Sequence, residues 1–446
     1  MPSSRNRLVI MGAGGRDFHN FNMVCRSDPS VEVVAFTATQ IPGIDNRRYP
    51  ASLAGPLYPD GIPILAEDGL EELCRREGVQ QIVFAYSDVT AEHVMAQAAR
   101  ANALGCDFIL LGPEATMLST LKPVIAVSAV RTGCGKSQTA RYIAAWLRDQ
   151  GLKAGVLRHP MPYGDLGRQA VQRFASRQDL ADADCTIEER EEYEPYIEAG
   201  GTIFAGVDYA KILNEAEREA DIVVWDGGNN DFPFLRPDLH LVVVDALRPT
   251  HITGYYPGEA TLRMADAVII NKVDAAPPDQ VEALEAALEK MLPSLPLIQA
   301  ASPVRLETAD PLSGKKVIVV DDGPTITHGG MPFGAGYTAA RAAGAEIVDP
   351  KPYAAPEIAA VYDRYPHIGA VLPAVGYFPA QLTALEATIR AASPDAVVSG
   401  TPIDLAGVLD VDAPVIRARY GYADAGPLRL ATLLEKFIVQ AERARP

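Results

Sequence analysis

Paired cysteines, long apolar runs and an excess of positive charge are all missing from this chain of 446 residues. No stretch approaches the ~18 consecutive apolar residues that a membrane span needs. The apolar run after the polar start Met1–Arg7 reaches only Met11, too short for a signal peptide. The five cysteines (Cys25, Cys74, Cys106, Cys134 and Cys185) are odd in number and never spaced Cys-x-x-Cys. That excludes a disulfide frame or a zinc ribbon and fits reduced thiols. Forty Lys plus Arg against 57 Asp plus Glu leave a net charge of −17, so a basic footprint on nucleic acid or an anionic membrane is not expected. What is present is ordinary globular composition, 48 % hydrophobic and 22 % charged, with length for about three domains. The expectation is a soluble cytoplasmic protein.

Short β-branched runs alternate with helical segments, which points to parallel α/β sheets. Residues 7–11, 31–36, 81–85 and 108–111 read as buried strands of a Rossmann-like N-terminal domain, 1–120. The break at Leu121-Lys122-Pro123 opens a second series at 124–128, 153–157, 221–225, 240–245, 267–271 and 297–300, a P-loop NTPase domain over 121–305. A third series begins at Lys316 and defines a C-terminal α/β region, 306–446. The acidic stretch Glu188–Glu194 reads as a solvated face or loop, with a segment close to a nucleotide as the alternative.

The strongest signal is Ser128-Ala-Val-Arg-Thr-Gly-Cys-Gly-Lys-Ser137 between a strand and a helical run. Gly133 and Gly135 let the backbone curl so that amides converge on phosphate, Lys136 adds a point charge, and the Ser137 hydroxyl can ligate Mg²⁺. Thr132, Cys134 and Gln138 complete the nucleotide cradle. Val130 stands where the usual spacing has glycine, so the loop should enter by another path. Arg131 is either an extra cation for transferred phosphate or an exposed loop residue. Asp226, closing the strand Val223–Asp226 ahead of Gly227-Gly228, is placed to hold Mg²⁺, with Asp231 as a weaker candidate. Lys136, Arg131 and Asp226 are the catalytic candidates.

Asn271-Lys272-Val273-Asp274 follows another strand. Its carboxylate would accept from guanine N1–H and the 2-amino group, so these residues favour GTP. Gly12-Ala-Gly-Gly-Arg16-Asp-Phe-His19 ends the first strand but has Asp17 in place of the third dinucleotide-binding glycine. A helix start with Gly14, Gly15, Arg16 and His19 suits an anion. Arg158, His159 and Arg248–His251 also lie just past strand ends, and the glycine-rich segment 321–336 is either functional or a structural crossover.

In order, the motifs at residues 11–22, 130–138, 226–230, 271–274 and 320–325 resemble the cyclic 2,3-diphosphoglycerate synthetases. The resemblance implies a ligase that uses ATP and Mg²⁺ to join the two phosphates of 2,3-bisphosphoglycerate into an internal anhydride. It also implies a homodimer, by likeness to metallochaperone and dethiobiotin-synthetase P-loop proteins. On that reading ATP comes first and GTP is the alternative, Ser137 and Asp226 hold the metal, and Gly14, Gly15, Arg16, His19, Arg158 and His159 bind a phosphorylated small substrate. The rival readings are a GTP-dependent switch or chaperone and an NTP-dependent ligase or phosphotransferase acting on another phosphorylated acid.

Overall fold

A computed structural model describes residues 5–39, 47–159, 164–228, 230–327, 329–375 and 379–444. It is built from α/β layers on mainly parallel sheets. The N-terminal sheet has six strands in the spatial order Arg47–Tyr49, Ile62–Ala66, Val31–Ala38, Asn6–Met11, Gln81–Phe84, Asp107–Ile109. All its pairings are parallel except the first. Apolar side chains fill both faces, with Phe18, Phe21 and Phe36 on one and Leu73, Ile82 and Phe84 on the other. Two-sided burial is why these strands read as continuous apolar runs.

The central sheet carries the glycine loop. Its nine strands run Gln172–Phe174, Thr202–Ala205, Ala154–Arg158, Ile222–Asp226, Val124–Ala129, Leu239–Asp245, Ala267–Asn271, Leu297–Ala301, Ala423–Asp424. Val124–Ala129 lies between the strands ending in Asp226 and Asp245. Every residue of these three strands is buried. The order reverses at this point, since the strands that follow it in the chain as far as Asp226 lie on one side and those from Leu239 onward on the other, and a crevice opens at the C-terminal edge.

The third sheet orders Val304–Leu306, Val415–Tyr420, Ala396–Gly400, Lys316–Asp321 and Glu346–Ile347, with Leu372–Pro373 also paired to Lys316–Asp321. The boundary expected at 305 is crossed on the way back. Ala423–Asp424 pairs with Leu297–Ala301, and Leu430, Leu434 and Phe437 of the last helix join the central core. The C-terminal region is therefore an insertion between two parts of the central layer. No helix among the described residues is long and apolar enough to cross a membrane.

Candidate functional site

Glycine at φ 81° (Gly133) and 107° (Gly135) turns the chain from the strand Val124–Ala129 into the helix Lys136–Asp149. A side chain is disfavoured at such angles. At Gly135 a Cβ would also fall 2.0 Å from Asn271 Nδ2. Val130 takes no positive φ, and its amide donates to Val243 O at 3.1 Å, so the loop does enter by its own path. No described residue accepts from the amides of Gly133, Gly135, Lys136 or Ser137. The loop thus presents converging, unsatisfied N–H groups at a helix start, the geometry that takes an anion.

Beneath them lies a dense ion network. Lys136 Nζ donates to Asp226 Oδ1 at 2.6 Å, Tyr196 OH donates to Asp226 Oδ2 at 2.8 Å, and Arg158 pairs with both Asp226 and Glu192. Burial alone would raise the Asp226 carboxyl, but Arg158 and Lys136 outweigh it and hold it at about 2. Burial pushes the Lys136 ammonium down to about 8, with Asp226 opposing the shift. Glu192 and the buried Glu191 belong to the acidic stretch, which packs as the helix Ile187–Glu198 beside the loop. Of the two readings of that stretch, proximity to the nucleotide loop is what the structure supports.

The Asn-Lys-x-Asp residues divide their roles. Asn271 Nδ2 donates to Cys134 O at 2.7 Å, and Lys272 Nζ donates to Gly133 O at 2.7 Å and to Asp245 at 2.8 Å. Both brace the loop from behind, together with Arg248, which donates to Thr132 O at 2.9 Å and reaches Gly329 O across to the third sheet. Asp274 is exposed at the cavity wall, accepting from Ser302 N at 3.1 Å.

A cavity of about 440 Å³ spreads from the loop between the N-terminal and C-terminal layers. Arg131, Thr132, Gly133, Gly135, Lys136, Ser137 and Gln138 line it, as do Lys272, Arg158 and His159 and, from the N-terminal layer, Gly14, Gly15 and Arg16. Cys134 and Asn271 lie behind the wall, and Asp226 reaches it through Lys136 and Arg158. Asp322 and Thr325 of the 321–336 segment also face the cavity, while His328 of that segment lies outside the described residues, as does Asn229.

Three expectations change here. The amides of Gly14, Gly15 and Phe18 are not open to an anion, because the Asp17 carboxylate accepts from all three at 2.7–3.1 Å. His19 does not face the cavity. It stacks on Phe234 at 4.2 Å, bonds Thr116 O at 2.7 Å, and burial lowers it to about 4, so it is a neutral interface residue. Arg131 does not project to solvent: it pairs with Asp88 at 2.6 Å and lies over the Tyr255 ring at 3.8 Å. Arg16 reciprocates from the N-terminal layer, pairing with Asp231 at 2.6 Å and stacking on Phe232 at 3.9 Å.

His159 is held between two glycines. A Cβ on Gly15 would sit 2.7 Å from its Cδ2, and one on Gly228 would sit 2.9 Å from its Nδ1. Burial, with Arg158 and Lys136 nearby, lowers it to about 3, so it stays uncharged. Sequence reading missed Asp88 and Tyr196. Asp88 follows the strand Gln81–Phe84 and could have been found from its place at a sheet edge; Tyr196, inside a helix, carried no such signal.

A strand, a glycine hook with Lys136 and Ser137, and a neighbouring strand ending in a buried acid define a P-loop nucleotide site on an α/β scaffold. No protein-family model matches the chain. It is 53% identical over 442 residues, 99% of both chains, to arginine synthetase ArcE of Thermococcus kodakarensis. It is 28% identical over 131 residues, 28% of this chain and 29% of the relative, to a cyclic 2,3-diphosphoglycerate synthetase of Thermococcus sibiricus. Among solved structures it is similar to LpxK from Aquifex aeolicus in complex with ATP (TM-score 0.42, 13% identity, 83% of this chain and 99% of that one). It is also similar to a ParA family ATPase from Chlorobium tepidum (TM-score 0.24, 15% identity, 41% and 85%). The chain belongs to the family of arginine synthetase ArcE, and it is an enzyme of the synthetase class. The likeness to cyclic 2,3-diphosphoglycerate synthetases holds at the level of a synthetase, over part of the chain.

Proposed function

We propose that this protein is an ATP-dependent ligase that makes arginine. The observation that carries the reading is the open P-loop facing a second polar wall across one cavity, in a chain related over its full length to an arginine synthetase. Building a guanidino group with a nucleoside triphosphate requires an activated oxygen. In the proposed sequence the ureido oxygen of citrulline attacks the γ-phosphorus of ATP, an O–P bond forms, and ADP leaves. A nitrogen nucleophile then adds to the ureido carbon, loses a proton, and inorganic phosphate departs with the oxygen.

Such transfers depend on positioning and charge neutralisation more than on a protein nucleophile. Here the amides at 133–137 would hold the phosphate chain, and Lys136 would leave Asp226 for the phosphates. Arg158 would neutralise charge at the transferred group. Asn271, Lys272 and Arg248 would keep the loop carbonyls turned away from it. Ser137 and Asp226 are the residues that would hold Mg²⁺. The Ser137 hydroxyl lines the cavity with an approach of 3.4 Å from Arg158 Nη1, and Asp226 is ionised, so the donor set suits an ion arriving with the nucleotide. A bound divalent ion supplies charge neutralisation at the β- and γ-phosphates. No group of three His, Cys, Asp or Glu among the described residues could hold a metal.

The test is incubation with ATP, magnesium, citrulline and ammonium, following arginine and phosphate together. Equal release of both supports the reading. The partial relative favours a second reading, closure of 2,3-bisphosphoglycerate; a cyclic product in the phosphorus spectrum, with no arginine, would replace the first. Nucleotide turnover indifferent to either small substrate would point instead to a switch or chaperone. ATP is the proposed nucleotide. Because Asp274 stands at the cavity wall, competition between equal ATP and GTP tests whether guanine is read. A homodimer in the cytoplasm is proposed with it, to be measured by light scattering on the purified chain.

A further inference from the structure

Most charges lining the main cavity are spent within the protein. Of its cations, Arg16, Arg131, Lys136, Arg158 and Lys272 each pair with a buried carboxylate, and Arg141 alone has none among the described residues. Of its acids, Asp17 is taken by backbone amides and Asp88, Asp231 and Glu192 by arginines, while the carboxylate oxygens of Glu191 are sealed from solvent. Asp274 is exposed and Asp322 half-buried, neither with a cation partner among the described residues. One unspent charge of each sign therefore remains inside the cavity, Arg141 and Asp322.

Both groups converge on Tyr420. Arg141 stands in the helix Lys136–Asp149, and its guanidinium carbon lies 5.6 Å from the centre of the Tyr420 ring. That ring lines the main cavity, so the charged end points there, although the residue also borders a second cavity. Beyond this approach to Tyr420 the guanidinium has no partner among the described residues, and none of its nitrogens is sealed from solvent. Asp322 comes from the C-terminal layer, where it caps the short helix Gly323–Ile326. Its Oδ2 accepts from Thr325 N at 3.2 Å and from the Thr325 hydroxyl, whereas Oδ1 takes no bond from a described residue and is likewise unsealed. A Cβ on Gly133 would sit 3.5 Å from the Thr325 methyl, so this turn abuts the phosphate loop. Burial raises the Tyr420 hydroxyl, Asp322 adds to the rise and Arg141 opposes it, so two opposite charges meet on one neutral ring.

We propose that Arg141 and Asp322 form the subsite that binds the α-carboxylate and the α-ammonium of an amino-acid substrate, with Tyr420 between them. The inference rests on the arginine-forming reading and names the residues that recognise its substrate as an α-amino acid. A zwitterion satisfies both charges with charge-assisted bonds, whereas a phosphate would suit Arg141 and be repelled by Asp322. The spacing agrees in scale. Arg141 lies five residues past Lys136, about 7.5 Å along the helix axis. Five bonds separate the ureido carbon of citrulline from its α-carbon, on the order of 6 Å when extended. A ureido group at the transferred phosphate would thus bring the α-carbon alongside Arg141.

The experiment measures by calorimetry the Kd of L-arginine, of agmatine, which lacks the α-carboxylate, and of δ-guanidinovalerate, which lacks the α-ammonium. It does so in the wild-type protein, in Arg141→Met and in Asp322→Asn, with the Kd of ATP beside them. The wild type should bind L-arginine at least about tenfold more tightly than either analogue. Arg141→Met should lose the preference over agmatine and Asp322→Asn the preference over δ-guanidinovalerate, each with an ATP Kd within about twofold of wild type. Variants that keep both preferences, or that lose ATP affinity in parallel, would overturn the proposal. So would a rise in the KM for ammonium instead of citrulline in Asp322→Asn, which would make that carboxylate the seat of the nitrogen nucleophile. Should a variant not fold, the wild-type comparison decides, since equal binding of L-arginine and either analogue overturns the subsite. Failure of the functional reading looks different: a wild-type protein that binds neither arginine nor citrulline overturns both.

Discussion

Two strand-to-helix turns, Gly12–Asp17 and Gly133–Ser137, face the same cavity and are both built on glycine at positive φ, 128° at Gly12 and 81° and 107° at Gly133 and Gly135. In the first, Asp17 folds back over the amides of Gly14, Gly15 and Phe18. In the second, the helix opens on Lys136, and no described residue takes the amides. Glycine permits the turn in each case. The side chain that opens the helix decides whether the nest of amides is filled from within or kept for a ligand. A third turn repeats the filled kind: Asp321 accepts from Gly334 and Gly336 at 2.7 Å and from Tyr337 at 3.4 Å.

The contrast breaks most sharply at Lys136. Lys136→Ala should lower kcat on the order of 10³-fold, because it removes a charge aimed at the transferred phosphate. The melting temperature should hold or rise, since a buried ammonium is lost with it. Near-normal turnover would mean that the open turn is not the nucleotide site. The opposite change, Asp17→Ala, uncovers three amides and should cost about 3 kcal/mol of stability, read from denaturant unfolding. If the comparison is sound, phosphate at millimolar concentration should restore part of that loss in the variant and do little for the wild type. A variant as stable as wild type would show that Asp17 is not filling the nest.

How much of this was legible follows from how local each feature is. The P-loop could be read because strand, glycines, Lys136 and Ser137 are contiguous, and Asp226 because an acid closing a buried strand is visible in one run of residues. His19 and Arg16 have the right chemistry for anion ligands. Their roles are set by Phe234, Thr116 and Asp231, up to more than two hundred positions away, and no periodicity reports such contacts. The acids around Glu191 looked solvent-facing because Arg158, the cation that meets Glu192, comes from the distant strand Ala154–Arg158. The return of Leu430–Ala444 to the central core was hidden for a related reason: its apolar stripe fits any neighbouring sheet equally well.

A finer cut separates contact from mere glycine content. Gly15→Ala would press a methyl to within 2.7 Å of His159 Cδ2, whereas Gly112→Ala meets nothing within 4 Å. Forcing the two layers apart should cost about 1–3 kcal/mol and lower kcat several-fold, while the second substitution stays within about 0.5 kcal/mol. Equal behaviour of the pair in unfolding and turnover assays would remove His159 from the contact between the nucleotide loop and the N-terminal layer.

The smallest expected effect asks what filling a nest with a carboxylate entails. Burial raises Asp321 from 3.8 to about 6, although the amides of Gly334, Gly336 and Tyr337 pull it the other way. A raised carboxyl takes up its proton more readily in the folded chain than in the unfolded one. Its contribution to stability is therefore most favourable below pH ~4 and declines as pH rises through about 6, reaching a constant deficit above that. A shift of this size corresponds to at most about 3 kcal/mol, and about 1–2 is expected to be visible. Asp226, lowered to about 2, contributes no slope over this interval, because it is ionised throughout in the folded chain and nearly so in the unfolded chain above pH 5. The measurement is the difference in unfolding free energy between wild type and Asp321→Asn at pH 5 and pH 7. Asparagine cannot ionise, so the variant should gain relative to wild type as pH rises between those points. A difference independent of pH would mean that the amides around Asp321 outweigh its burial, and that a carboxylate fills a glycine turn without penalty.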